Sequence, residues 1–325
     1  MFALWKRYRH AAAVAPLMLA MVATASAQAP YPNRNITLVL PFAAGSGTDT
    51  TTRLISKEVG TALGVSMVIE NKAGANGSIA ASYVARSAPD GYTLFVTTNT
   101  THSANPFLLK NMSYDPVKDF TPIARTGDLP FMLVIHPDIP ANSVAELIAL
   151  AKKEPGKYSY ASGSSSAIVS GATFARLAGI DLLHVPYKSS PPALTDVIAG
   201  RVSMMFIDVP TGLPHVNAKA LKALAVTTKK PSALLPDLPT MDNTVKGFDI
   251  TSWQGYLGPA NMPKDIVVKL NAEIRKIIER PDIKNQLAER GMEAFSGTPE
   301  EFDAFLKEQL VLWEKLIADA GIEKQ

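Results

Sequence analysis

Apolar residues in this chain follow two alternating rhythms. Ile36-Thr37-Leu38-Val39-Leu40 is a short, β-rich run closed by Pro41. Leu54, Ile55, Val59, Ala62 and Leu63 then recur at helical spacing. Residues 65–70 predict a second strand, 71–76 a loop and 77–87 a helix, and Pro89-Asp90-Gly91 turns the chain into a strand over 92–97. Such a β-α-β-α-β opening implies a parallel sheet with right-handed crossovers. On the first helix Asp49 and Arg53 stand four residues apart, with the acid toward the N-terminus as the helix dipole favours.

The middle continues in the same style. Strands are predicted over 131–135, 158–161, 182–185, 204–207 and 221–227, and helices over 143–153, 167–178 and 194–199. Ser143 and Glu146 have the spacing of a capping box. The tail reads as three helices, 264–279, 281–290 and 299–320, with Pro263, Pro281 and Pro299 in first-turn positions. No long polar linker divides the chain. Two lobes would therefore be joined by more than one crossing, near 126–130 and 227–253.

The first 27 residues read as an address. Lys6, Arg7 and Arg9 precede an apolar stretch over 11–24, and Ala25-Ser26-Ala27 is a small-residue cleavage pattern. That stretch is too short to span a membrane. Its removal leaves the basic residues equal in number to the 29 acidic ones, because the first acid is Asp49. A neutral body gives no electrostatic reason to bind nucleic acid or an anionic membrane. With 0 Cys, thiolate metal sites, iron–sulfur clusters and cysteine nucleophiles are excluded.

Motifs for catalysis are missing: no H-E-x-x-H, P-loop or G-x-S-x-G occurs, and Thr50 stands where a dinucleotide fingerprint needs its last Gly. No cofactor is expected. The positive signal is a pair of small-residue loops, each between a predicted strand and a helix. The first is Ala43, Ala44, Gly45, Ser46, Gly47 and Thr48, after Phe42; the second is Ser162, Gly163, Ser164, Ser165 and Ser166. Each ends at a helix N-terminus, whose unpaired N–H groups and partial positive charge favour an anion. Two such ends facing each other form an anion clamp without Arg or Lys. Thr98, Asn99 and Thr100 follow the third strand and Asp208 a later one, where ligands of α/β sheets sit. Asp208 fits either a helix cap or an acceptor for a ligand amino or hydroxyl group.

Ordered segments resemble the substrate-binding proteins of tripartite tricarboxylate transporters, the Bug family. Residues 31–49 resemble that family's Y-P-x-R-x-I-x-x-x-x-P-F-x-x-G-G-x-x-D opening, Glu70-Asn71-Lys72-Ala73-Gly74-Ala75 its E-N-[RK]-x-G-A, and Pro89-Asp90-Gly91-Tyr92-Thr93-Leu94 its P-D-G-Y-T-L. Residues 114–120, 184–188, 235–240 and 298–302, with Trp253 and Trp313, also fit. The departures lie near the expected cleft. The paired Gly is here Gly45-Ser46-Gly47, the second loop lacks a following His, Ser189 replaces a Gly, and Asp208 comes one place late.

The resemblance implies a two-lobed periplasmic binding protein of the type II, Venus flytrap kind, with parallel-type sheets flanked by helices in each lobe. Lobe 1 would hold residues 28–128 plus 252–325, and lobe 2 residues 129–251. A monomer would close over a small carboxylate and deliver it to membrane permease subunits of a tripartite tricarboxylate transporter. Two other classes stay open: a periplasmic sensor feeding a signalling partner, and a secreted hydrolase using a serine of the 164–166 run.

Overall fold

The computed structural model describes residues 30–324 except 234. The expected leader and its cleavage point lie outside the described residues. Residues 31–325 form one compact unit built on two sheets.

In chain order, β1 (Ile36–Leu40), α1 (Gly47–Leu63), β2 (Met67–Asn71), α2 (Ser78–Ala85) and β3 (Thr93–Thr98) form the parallel opening, in the spatial order β2-β1-β3. A π-helical turn over Thr100–Ala104 and the short α3 (Asn105–Leu108) follow. Next come β4 (Phe120–Leu129), β5 (Phe131–Ile135), α4 (Val144–Lys153), β6 (Ser159–Ser162), α5 (Ser165–Ala178), β7 (Leu183–Pro186) and α6 (Ser190–Ile198). Then come β8 (Met204–Asp208), α7 (Val209–Asn217), β9 (Lys222–Val226), α8 (Met241–Thr244) and β10 (Ser252–Pro259). The tail is α9 (Lys264–Glu279), α10 (Pro281–Glu289), β11 (Glu293–Ala294) and α11 (Pro299–Asp319).

One sheet has the order β11-β4-β10-β3-β1-β2 and the other β7-β6-β8-β5-β9. Neither is purely parallel. β10 runs antiparallel to both β3 and β4, and β5 runs antiparallel to both β8 and β9. The chain leaves the first sheet at Pro130 and returns through the segment between β9 and β10. Those passages touch: Thr227 donates its N–H to the Phe131 carbonyl, and Ile250 donates to that of Thr227.

Sequence periodicity does not reveal β4 and β10. Pro122 and Gly127 interrupt the first, and Gly255 and Gly258 the second. Packing explains one of these: a Cβ on Gly255 would stand 2.3 Å from the Phe302 ring. β10 is nevertheless buried along its whole length, as a central strand should be. α6 starts earlier than its apolar spacing suggests, because Pro191 and Pro192 fit its first turn. At α4, Ser143 accepts the Glu146 N–H, but the Glu146 carboxylate accepts from Asn142, so the expected capping box is displaced by one residue.

Apolar clusters cover both sheets. α11 serves both: Phe302 and Leu306 pack with Val39, Phe95 and Trp253, while Trp313 and Ile317 join a cluster with Phe174, Phe206 and Phe248.

Candidate functional site

The carboxyl ends of β1 and β3 in one sheet and of β6 and β8 in the other meet at a small cavity of about 20 Å³. That is room for about one water. Phe42, Ser46, Gly47 and Thr48 line it from the first loop, and Thr98 and Thr100 from the end of β3. Ser164, Ser190 and Asp208 line it from the second sheet, and Leu129, Phe131 and Ser252 from the passages between sheets. A larger depression of about 790 Å³ lies between α1 and the edge strand β2, lined by Arg34, Arg53 and Lys57. It is open to solvent and contains none of the small-residue loops. Converging helix ends, rather than size, single out the smaller cavity.

Three helices present N-termini to that cavity: α1 through Gly47, α5 through its cap Ser164, and α6 through Ser190. Ser46 caps α1 by accepting the Asp49 N–H at 3.3 Å, and Ser164 caps α5 by accepting that of Ala167 at 3.3 Å. A fourth helix, α7, is capped by Asp208, which accepts the Thr211 N–H at 3.0 Å and the Thr211 hydroxyl. The Gly47 N–H also points to the Asp208 carboxylate, across from one sheet's loops to the other's. Burial pushes the Asp208 carboxyl up, and the hydrogen bonds from Thr211 and Gly47 offset part of that rise.

Several expected contacts fall elsewhere. Ser46 donates its N–H to the Ala43 carbonyl, a turn that leaves Ala44 and Gly45 exposed. The Ala43 N–H is given to Ser189 Oγ at 3.1 Å and the Gly45 N–H to Asp49 Oδ2 at 3.0 Å. Neither donor lines the cavity. Ser162 turns its hydroxyl to His184 Nε2 at 2.6 Å, beside Tyr160, whose ring stacks on His184. Gly163 lies against the backbone of Ser189 and Ser190, so it closes two loops of the same sheet onto each other.

Asn99 does not line the cavity. Its amide donates to Ser166 Oγ at 2.8 Å and its carbonyl oxygen accepts from Ser252, tying the two sheets' loops together. Ser165 supports the same junction: its N–H donates to Thr100 Oγ1 at 3.3 Å and its hydroxyl to Asn105 at 3.4 Å. Among the described residues none of the three serines at 164–166 is hydrogen-bonded to a histidine, and neither Ser162 nor His184 lines the cavity.

Sequence reasoning set Ser189 near the cleft but named neither Ser190 nor Ser252, which line the cavity, as a contact. It paired Asp49 with Arg53, as found, but missed the other contacts of Asp49. Asp49 accepts from Gly45, from Arg53 through two nitrogens, and from Asn71, whose amide also holds the Phe42 carbonyl. Burial opposes ionisation there, but these hydrogen bonds outweigh it and hold the carboxyl below the usual range. The first loop is thus shaped from behind by a fixed carboxylate. Among the described residues no cluster of His, Asp and Glu fits a metal ion.

Residues 51–322 match the family described as tripartite tricarboxylate transporter family receptor, TctC. Among solved structures, the chain is similar to R. palustris Rpa4515 with adipate: 34% identity, TM-score 0.89, covering 91% of this chain and 100% of that one. It is similar to the periplasmic binding protein BugD at 34% identity and TM-score 0.86, with 91% and 100% covered. MatC (Rpa3494) from Rhodopseudomonas palustris, with bound malate, matches at 30% identity and TM-score 0.83, with 88% and 100% covered. BugD is a periplasmic binding protein, and the two helix-flanked sheets of this chain are consistent with the two-lobed fold that the resemblance implied. The chain belongs to the tripartite tricarboxylate transporter receptor family, the family of the Bug proteins.

Proposed function

We propose that this protein is a periplasmic solute-binding protein that captures a small carboxylate between two lobes and delivers it to a tripartite tricarboxylate-type permease. Residues 1–27 direct export and are removed. Lobe 1 comprises residues 28–128 plus 252–325 and lobe 2 residues 129–251, and the protein acts as a monomer. The observation that carries the reading is the convergence of helix N-termini on a cavity lined by no Lys, Arg or His. Such ends favour an anion through backbone donors. Ligand-bound relatives, one with adipate and one with malate, support a carboxylate as that anion.

In this reading the ligand carboxylate takes donors from Thr48 and Ser190 and from the hydroxyls of Thr98 and Thr100, which otherwise only accept. A cavity of about 20 Å³ admits no dicarboxylate, so the lobes part to load it and the loaded cleft is wider than this one. Titration calorimetry on residues 28–325 tests this, with mono- and dicarboxylates, adipate and malate included, against their neutral amides. The acids should bind and the fully amidated forms should not. A ligand at a hundred times its Kd should also stabilise the fold by about 2.7 kcal/mol. Equal binding of acid and amide, or no binding by any acid, would overturn the reading.

A further inference from the structure

Among the described residues, Asp208 is the one ionisable side chain lining the cavity. It stands 7% exposed at the end of β8, with Thr211 on one side and the Gly47 N–H on the other. It therefore already holds part of what a ligand carboxylate would seek at the start of α1. Each helix N-terminus amounts to about half a positive charge, so the four here supply about two. Asp208 cancels about one of them. What remains balances a single ionised carboxyl group.

We propose that Asp208 limits the closed cleft to one ionised ligand carboxyl, so that a dicarboxylate is bound with the uptake of one proton. The inference rests on the carboxylate-binding reading and deepens it. Carboxylates confined to one buried site cannot all stay ionised. The proton comes from solvent and forms an O–H bond within the group made by Asp208 and the ligand; it belongs to that group rather than to one oxygen. The upward push that burial gives Asp208 acts in the same direction.

Ionisable groups on the surrounding elements do not supply a competing proton site. Asp49 on α1 is held by Gly45, Arg53 and Asn71. Glu289 and Arg290, at the end of α10, face Pro210 in a separate pocket. Asp128 on β4 is paired with Arg125, and Asp196 on α6 with Arg201 and Tyr187. His215 lies in the last turn of α7. None of these lines the cavity.

The test is calorimetry in buffers of differing ionisation enthalpy, from about pH 6.5 to about 8.5, where a free dicarboxylate is a dianion. The probes are adipate and malate, each with its monoamide. With the wild-type protein the dicarboxylate should take up close to one proton and lose affinity about tenfold per pH unit, while the monoamide takes up none. Asp208→Asn should bind the dicarboxylate without uptake and without that pH slope. Asp208→Ser, which keeps a capping oxygen for α7, should do the same, with thermal unfolding as the folding control. Dicarboxylate binding without uptake by the wild type, or uptake that persists in both variants, overturns the inference and leaves the carboxylate reading standing. Failure of every probe to bind any of the three proteins overturns that reading, and this inference with it.

Discussion

Adding one methyl group at Gly47 should separate folding from binding. Gly47 opens α1 and does not adopt a positive φ, so alanine suits its backbone. Within a helix that exchange stabilises by about 0.5–1 kcal/mol. The obstacle lies across the cleft. An added Cβ would stand 2.1 Å from Asp208 Oδ1, 2.8 Å from its Cγ and 3.3 Å from Pro210 Cβ. Asp208 cannot simply swing aside, because the same oxygen holds Thr211 at the start of α7. Overpacking of this kind costs about 1–3 kcal/mol, and the whole cost falls on the closed form. Gly47→Ala should therefore bind a carboxylate about 5- to 150-fold more weakly while unfolding at or slightly above the wild-type temperature.

Asp208→Ala removes both crowded atoms, at about 0.5–2 kcal/mol for the lost cap. A double-mutant cycle should then show the two positions strongly coupled, with the double variant binding better than Gly47→Ala alone. Calorimetry, with small-angle scattering of free and loaded protein, reads the outcome. Wild-type affinity and wild-type compaction in Gly47→Ala would refute the argument that the cleft closes through this contact.

Three other substitutions discriminate in different ways. In Gly163→Ala a Cβ would stand 2.3 Å from Ser189 C and Ser190 N, which are backbone atoms with little freedom, so thermal stability should drop by about 1–3 kcal/mol even without ligand; an unchanged melting temperature would contradict this. Ser162→Ala removes the bond to His184 and should cost about 0.5–1.5 kcal/mol of stability with no change in Kd, and a weakened Kd would return Ser162 to the site. Burial among Phe95, Tyr114 and Phe120 lowers the His102 pKa from 6.5 to about 3. Its contribution to stability is therefore complete above pH 6.5 and is lost as pH falls toward 3, a loss of about 2 kcal/mol at pH 5. His102→Gln should flatten the fall in melting temperature between pH 7 and 5, and parallel curves would exclude His102 as its source.

Most of the alternating framework was legible because each strand and helix carried its own rhythm. Ile36–Leu40 and Phe131–Ile135 are apolar runs with clear ends, and Lys264–Glu279 keeps helical spacing throughout. β4 and β10 were not legible, since their burial comes from neighbours on both sides rather than from alternation. A strand that opposes Pro122 to Leu257 and admits a phenyl ring at Gly255 looks like a loop in one dimension. The π-helical turn over Thr100–Ala104 was hidden for a related reason: the hydroxyls of Thr97 and Thr101 meet each other and His102 Nδ1, and Tyr114 reaches the Thr101 carbonyl, only once folded.

The site was legible as loops but not as atoms, because small residues serve two ends that sequence cannot tell apart. A glycine permits either a ligand or another part of the chain to come close. At Gly47 the neighbour is Asp208, at Gly163 it is the Ser189–Ser190 backbone, and only Gly45, with φ 82°, is required by its own conformation. The serines divide in the same way: Ser46 and Ser164 cap helices, Ser162 and Ser166 hold partners, and only Ser46 and Ser164 of these four line the cavity. A cleft that closes on itself this tightly uses its small residues to bring two sheets' loops into contact first. The donors left for a ligand are the helix ends that this contact does not consume, and Asp208 stands among them as the protein's own competitor.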